Sequence, residues 1–534
     1  MAAIPQVQFE LPVDDRSSKC TEFKPFHLAW GVVPVPRCGR RLRTNPQMRG
    51  FWAATLAFFL AFLGWFAMPP LMPVIRADIG LCDNVLQDTA DFEQCECRGP
   101  CRQAIADANI ASVSLDVLSR FMLSGVLDKK GPQMTDVMLL VWGALLIGVS
   151  VSITNGFGLV VIRAFLSTVG STFVVNQFWN SLLFHRSVVG LANATSGGWG
   201  NLGGGVAQIL MPLCYRLFND AGLELAWAWR AAMVVPFALY LLLAAWIYFF
   251  TQSTVSGKFE ISTLGKTTSA GPVTYINCFR DYRIVLMFFQ YGACLGCELV
   301  MNNVLAMHFF DYFGVGLVQA GALAASFGLM SVFARSLGMI VSNMASKKWA
   351  MRGRLWVHFL ALLGEAVFLF LFGCVSKDMG WGLALAMLVI FSVFLNMAEG
   401  TCYSIVPYML PEHNSVVSGA VGAGGVLGAV VCSFLYKLED ELLPFRLHGI
   451  YVLIWALSVM TMGWPHLGSM WRSPKAPPVK VQRSILWNRV QPELAAEPSS
   501  AIEPPSQTKA APADALPATD APAAQPIGAG QSQL

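Results

Sequence analysis

The sequence predicts an all-α membrane protein of twelve transmembrane helices in two six-helix bundles, and three observations carry that prediction. Apolar residues make up 55% of the 534 and charged residues only 13%, about half the charged share of an average soluble chain. Apolar runs of about twenty residues, enough to cross a hydrocarbon core roughly 30 Å thick, recur from end to end. The polar stretch "TQSTVSGKFEISTLGKTTSAGPVTYINCFRDYR" interrupts that pattern midway, with six runs on each side.

In the first half the expected spans are Phe51–Ile75, Ala104–Val126, Asp136–Thr154, Phe157–Phe184, Gly190–Leu217 and Ala228–Phe250. In the second they are Arg283–Phe310, Leu317–Asn343, Leu355–Cys374, Trp381–Tyr408, Val416–Tyr436 and Ile450–Met470. The first span lies behind about fifty polar residues and is too long for a cleaved signal peptide, while its Arg-containing lead leaves a transit peptide open. The expected organisation is an N-terminal segment (1–50), a first bundle (51–250), a central loop (251–282), a second bundle (283–471) and a tail (472–534). The tail is rich in Pro, Ala, Ser and Gln without periodicity, which reads as disorder.

Basic residues set the orientation. Arg37, Arg40, Arg41, Arg43, Arg49, Lys129, Lys130, Lys347, Lys348, Arg352 and Arg354 all fall in connections on one side, so that side, with both termini and the central loop, is cytoplasmic. The net charge of +4 is spread over these rims and supports no nucleic-acid interface. Cys82, Cys95, Cys97 and Cys101 then fall in a long external loop, where an oxidising exterior permits two disulfides. Free thiols and a metal site are the alternatives, although the spacing matches no common zinc pattern. With no nucleophile triad or metal cluster in view, an enzyme is not expected, nor is a cofactor.

The halves repeat one another, the mark of a duplicated transporter fold. Arg120 precedes Asp128 by eight residues, and Arg335 precedes Asn343 by eight. "SGGWGNLGGG" places Gly197, Gly200 and Gly203, followed by Gly204, and "VGAGGVLGAV" places Gly422, Gly425 and Gly428 each 225 residues later. The same offset sets Asn201 against Val426. Glycine inside a helix costs about 0.8–1 kcal/mol relative to alanine, so such runs imply close backbone approach between helices, here beside a central cavity.

An arginine near a bilayer centre costs about 2.5–3.5 kcal/mol on insertion scales. Two at repeat-related positions, Arg120 and Arg335, point to one shared central site. A guanidinium is planar and permanently charged, and its donor fork suits a small planar oxyanion better than lysine does. Asp116, Glu298, Glu365 and Glu399 are the acids in or near spans. Asp116 lies one turn before Arg120 and is expected to pair with it. Glu298 shares a helix face with Tyr291 and is the candidate carrier of a coupling proton, against a plain hydrogen-bonded structural role.

"GVLDKKGP", with Gly125, Asp128 and Gly131, resembles the Gly-x-x-x-Asp loop of the major facilitator superfamily, one residue short. "SGGWGNLGGGVAQ" and "GAVGAGGVLGA" are similar to the two signatures of its nitrate/nitrite porter family. "STFVVNQFWNS", "FQYGACLGCELVMNN", "AASFGLMSVFARSLG" and "MRGRLW" resemble eukaryotic, high-affinity members, the likeness running from about Phe51 to Trp471.

The resemblance implies a major facilitator fold in the plasma membrane, with Arg120 and Arg335 as substrate arginines and Asn201 as a polar group on nitrate. Phe173 and Tyr291 would be aromatic residues confining the planar ion, with helix packing as their alternative. Arg163 and Gln177 match positions near the cavity. Nitrate or nitrite would move with protons, by nitrate/nitrite exchange, or be replaced by another small anion; a nitrate sensor without transport is the reading of another class. Val426 stands where the second signature usually has asparagine, removing one polar group. The Cys-rich loop would shape the entrance or dock an accessory subunit.

Overall fold

The computed structural model describes residues 46–84, 92–254, 259, 277–410 and 414–472. The expected cytoplasmic tail and nearly all of the N-terminal segment lie outside the described residues, as does most of the central loop.

Fourteen α-helices follow one another among the described residues. The first half holds α1 (Pro46–Trp65), α2 (Met72–Asp78), α3 (Gly99–Ser150), α4 (Gly156–Leu166), α5 (Thr172–Leu183), α6 (Arg186–Asp220), α7 (Leu225–Ala232) and α8 (Val234–Phe250). The second holds α9 (Tyr282–Met307), α10 (Leu317–Leu329), α11 (Ser331–Phe372), α12 (Trp381–Ile405), α13 (Asn414–Ser433) and α14 (Leu443–Ser458). Nine helical stretches among the described residues are long and apolar enough to cross a membrane, and one of them, Leu317–Phe372, carries the eighth and ninth expected spans in succession. The second and fifth expected spans are helical but fall outside those nine. One carries Asp116 and Arg120, and the other is diluted by glycine.

Several span boundaries differ from expectation, each for a local reason. The first span is broken after Trp65 by a 3-10 turn at Pro69–Leu71 before α2, because Pro69, Pro70 and Pro73 remove backbone donors. The fourth is broken by a 3-10 turn at Ser167–Ser171 between α4 and α5, and the sixth at Met233 between α7 and α8. Helical hydrogen bonding in α3 runs through the expected loop at Lys129–Gly131, with a sharp kink where Gly131 takes φ 77°. That left-handed conformation suits glycine, and a Cβ there would also lie 2.8 Å from the Phe259 ring. The twelfth span stops nine residues early, at Thr461. Helix α14 ends at Ser458, and a short antiparallel hairpin pairs Gly463–Trp464 with Gly468–Ser469.

The glycine signatures do equivalent work in the two halves. In α6 a Cβ on Gly203 would sit 1.9 Å from the Phe59 carbonyl of α1, and one on Gly200 1.8 Å from the Phe58 ring. In α13 a Cβ on Gly428 would sit 2.2 Å from the Gly292 carbonyl of α9, and one on Gly425 2.5 Å from Leu295. Each signature helix is thus pressed onto the first long helix of its own half. Across the halves, Gly205 of α6 abuts Gly328 of α10, and Gly198 faces the Ser331 carbonyl of α11.

Ion pairs tie the halves together on the side of the Cys-rich loop. Arg76 holds Asp311 through two hydrogen bonds of 2.8 and 2.7 Å, Arg102 meets Glu441 at 2.5 Å, and Lys437 meets Asp107 at 2.5 Å. The loop itself carries the disulfides Cys82–Cys95 and Cys97–Cys101. Phe92 packs against Tyr215 of the first half and stacks on Phe310 of the second.

Candidate anion site

Arg120 stands on the first part of α3 and is 5% exposed. Its Nε donates to Asp116 Oδ2 at 2.9 Å, its Nη2 lies 2.8 Å from the same oxygen, and its Nη1 donates to the Gly422 carbonyl at 3.2 Å. The other Asp116 oxygen accepts from Ser171 at 3.1 Å and Ser119 at 3.3 Å. An ionised carboxylate buried in this way is stabilised by its full set of donors.

Arg335 stands on α11 and is 2% exposed. Its Nη1 lies 2.7 Å from Glu399 Oε2 on α12, and its Nη2 donates to Tyr291 Oη on α9 at 2.9 Å. Phe173 of α5 connects the two centres: its ring centroid is 5.3 Å from the Arg120 guanidinium carbon and 5.8 Å from that of Arg335. Both distances are within the range of cation–π attraction. Tyr403 packs edge-on against Phe173 and Tyr291, with ring centroids 6.1 and 5.2 Å apart.

Backbone closes the site around the arginines. A Cβ on Gly197 would lie 3.2 Å from the guanidinium of Arg335, and one on Gly422 3.5 Å from that of Arg120. The arginines are therefore enclosed. An open cleft of about 470 Å³ lies elsewhere, lined by Phe92, Tyr215, Arg216 and Gln319.

The structure thus brings Arg120, Arg335, Phe173 and Tyr291 to one place. Asn201 is fully buried, but its Nδ2 donates to Glu298 Oε2 at 2.5 Å and its Oδ1 has no partner among the described residues. Its amide thus engages an acid rather than a guanidinium, and Glu298 in turn interacts with Glu399. Val426 is fully buried in the apolar core. Arg163 binds Asn109 at 2.6 Å and Asn303 at 2.5 Å, and Gln177 donates to Asn176, so neither joins the arginine pair. Among the described residues no group of three or more His, Cys, Asp or Glu is placed to hold a metal.

Sequence reasoning gave Glu399 and Tyr403 no role. Both lie in "NMAEGTCYS", one helical turn apart on α12. A lone acid in an apolar run marks a functional position by default, but its partner, Arg335, is on another helix.

Two helical halves closing on a pair of enclosed arginines define a polytopic membrane carrier. The Major Facilitator Superfamily model matches residues 54–433. The chain is 32% identical over 495 residues to the high affinity nitrate transporter 2.5 of Arabidopsis thaliana, covering 90% of each chain. It is 30% identical over 446 residues to the nitrate transporter 2.2 of Chlamydomonas reinhardtii, covering 81% of this chain and 82% of that one. Among solved structures, the D-xylose-proton symporter superposes with a TM-score of 0.54 at 14% identity, covering 76% of this chain and 97% of that one, which shows the fold. The protein belongs to the major facilitator superfamily and, within it, to the nitrate/nitrite porter family.

Proposed function

We propose that this protein carries nitrate across a membrane by alternating access, with Arg120 and Arg335 as the two arms of the anion site. The observation that carries the proposal is that both guanidiniums approach one ring, Phe173, from opposite halves of the molecule. A planar ion at that ring would receive donors from both arginines and would be confined by Phe173 and Tyr291. The Gly197 and Gly422 faces let the arginines lie against backbone, while Gly198 and Gly205 form the contact along which the halves move. Asn201 acts through Glu298, which belongs to the acid pair that would hold a coupling proton.

Cytoplasmic termini are the orientation that fits the basic connections, and the plasma membrane is the setting that the family resemblance implies. An anion moving inward against a negative-inside potential faces about 2.3 kcal/mol per 100 mV. Net uptake therefore needs a coupled cation or a counter-anion, and proton symport is the mode proposed. Nitrate/nitrite exchange is the second reading, because the names of relatives include nitrate/nitrite transporters. The disulfide-bonded outer loop is the surface on which an accessory subunit would act.

Uptake of labelled nitrate into proteoliposomes, with and without an inward proton gradient, tests this function. Gradient-driven accumulation supports symport, and flux that needs internal nitrite supports exchange. Nitrate binding without flux supports a sensor, and carboxylate flux unaffected by nitrate removes the nitrate assignment.

A further inference from the structure

Both arginines already have a carboxylate when the site is closed. Asp116 neutralises Arg120 and Glu399 neutralises Arg335, so the enclosed centre balances before any anion arrives. Adding a monovalent anion to this balanced centre buries one uncompensated negative charge, which is strongly unfavourable away from water. A proton taken up by one of the carboxylates removes that excess.

The two carboxylates are not equivalent as proton acceptors. Asp116 has donors on both oxygens: the Arg120 guanidinium on one, and the Ser119 and Ser171 hydroxyls on the other. Glu399 has its ion pair to Arg335, and among the described residues no hydroxyl or amide donor is aligned on either of its oxygens. It is faced from α11 by Arg335 and Glu365, and from α9 by Tyr291, Cys294, Cys297 and Glu298. Cys402 adjoins it on its own helix. Arg335 is the single cation in that set. When Arg335 turns toward an anion, Glu399 is left among neutral and acidic groups.

We propose that Glu399 is the coupling carboxylate: the transported anion and Glu399 compete for the Arg335 guanidinium, and the displaced Glu399 takes the accompanying proton. This deepens the nitrate reading above and rests on it. In this scheme Glu298, held by Asn201, shares one proton with its neighbour Glu399 before nitrate arrives. Nitrate binding brings the second proton, from the solution on the open side, and the pair becomes neutral. On the opposite side nitrate and that proton leave together, and Glu399 returns to Arg335. This pair then accounts for one proton per nitrate, and for the buried Asn201–Glu298 contact that an arginine-only site leaves unexplained.

Calorimetry of nitrate binding to the purified full-length protein, in buffers of different protonation enthalpy, counts the protons directly. The wild type is expected to take up about one proton per nitrate, and its Kd is expected to rise about tenfold per pH unit above the titration of the pair, since linkage is reciprocal. Glu399→Gln mimics the protonated state. It is expected to bind with the low-pH affinity of the wild type at every pH, take up no proton, and exchange nitrate for nitrate in liposomes without proton-driven accumulation. A wild-type pH slope in Glu399→Gln overturns the proposal. So does wild-type binding with no proton uptake, which keeps the test decisive even if the variant fails to fold. Absence of any nitrate binding by the wild type would instead remove the substrate assignment.

Discussion

Gly197 of the first half lies directly against Arg335 of the second, its absent Cβ only 3.2 Å from the guanidinium. The repeat-related pair is Gly422 of the second half against Arg120 of the first, at 3.5 Å. Each half therefore offers a bare stretch of helix to the arginine of the other.

The two contacts differ in slack, and substitution reads that difference. At 3.2 Å a methyl on Gly197 crowds an arginine fixed by Glu399 and Tyr291, while 3.5 Å at Gly422 is ordinary contact. Overpacking costs about 1–3 kcal/mol, and about 1.4 kcal/mol is already a tenfold loss. Gly197→Ala should raise the KM for nitrate uptake about tenfold or more, and Gly422→Ala should stay within about threefold of wild type. Uptake kinetics in liposomes, normalised to protein in the membrane, check this; equal effects would contradict it.

Phe173 is attracted to both guanidiniums. A desolvated cation–π contact contributes about 2 kcal/mol, and Phe173→Leu keeps the apolar bulk while losing the ring face. The expected outcome is nitrate affinity lowered about tenfold or more, with little change in Tm. A large fall in Tm with unchanged affinity would make Phe173 a packing residue instead.

The glycines inside each half should fail differently. Gly203→Ala and Gly428→Ala would place a methyl 1.9 and 2.2 Å from backbone carbonyl oxygens, which only helix separation relieves. Loss of Tm and of expression is expected in both, at a cost of about 1–3 kcal/mol or more. Thermal unfolding in detergent reads this, and wild-type Tm in both variants would contradict the packing described.

Arg76 is almost fully buried and Asp311 is 31% exposed, so Asp311→Asn leaves a buried cation without its charge partner. A fully buried pair broken this way costs 3–5 kcal/mol, reduced here to about 1–3 kcal/mol by screening at the exposed carboxylate. The halves should part more readily on the side of the disulfide loop, and amide exchange over α2 (Met72–Asp78) should accelerate at least about fivefold. Unchanged exchange would show that the pair does not hold that side closed.

Composition and apolar run length made the helical class and the duplicated halves legible. The glycine offset of 225 residues marked the equivalence of α6 and α13 before any contact was visible. Helix breaks were harder to place, because Pro69, Pro70 and Pro73 lie in an otherwise apolar run, and the hairpin after α14 lies in the apolar stretch that closes the last span. The Asp116–Arg120 pair was readable because it lies within one helical turn. Glu399–Arg335 spans two helices, and the Asn201–Glu298 contact spans both halves, so neither spacing nor period exposes them. Asn201 illustrates this for one residue: the signature marks its position, while the acid that its amide engages lies on a helix of the other half.

The central claim is that two guanidinium forks hold the transported anion. Labelled nitrate uptake driven by an inward proton gradient, compared among wild type, Arg120→Lys and Arg335→Lys in proteoliposomes, tests it most directly. Lysine keeps the charge and loses the fork, and a charge-assisted hydrogen bond is worth about 1.5–3 kcal/mol. Each variant should insert normally and lose at least about tenfold in kcat/KM for nitrate. Wild-type uptake in both would contradict the paired-arginine site.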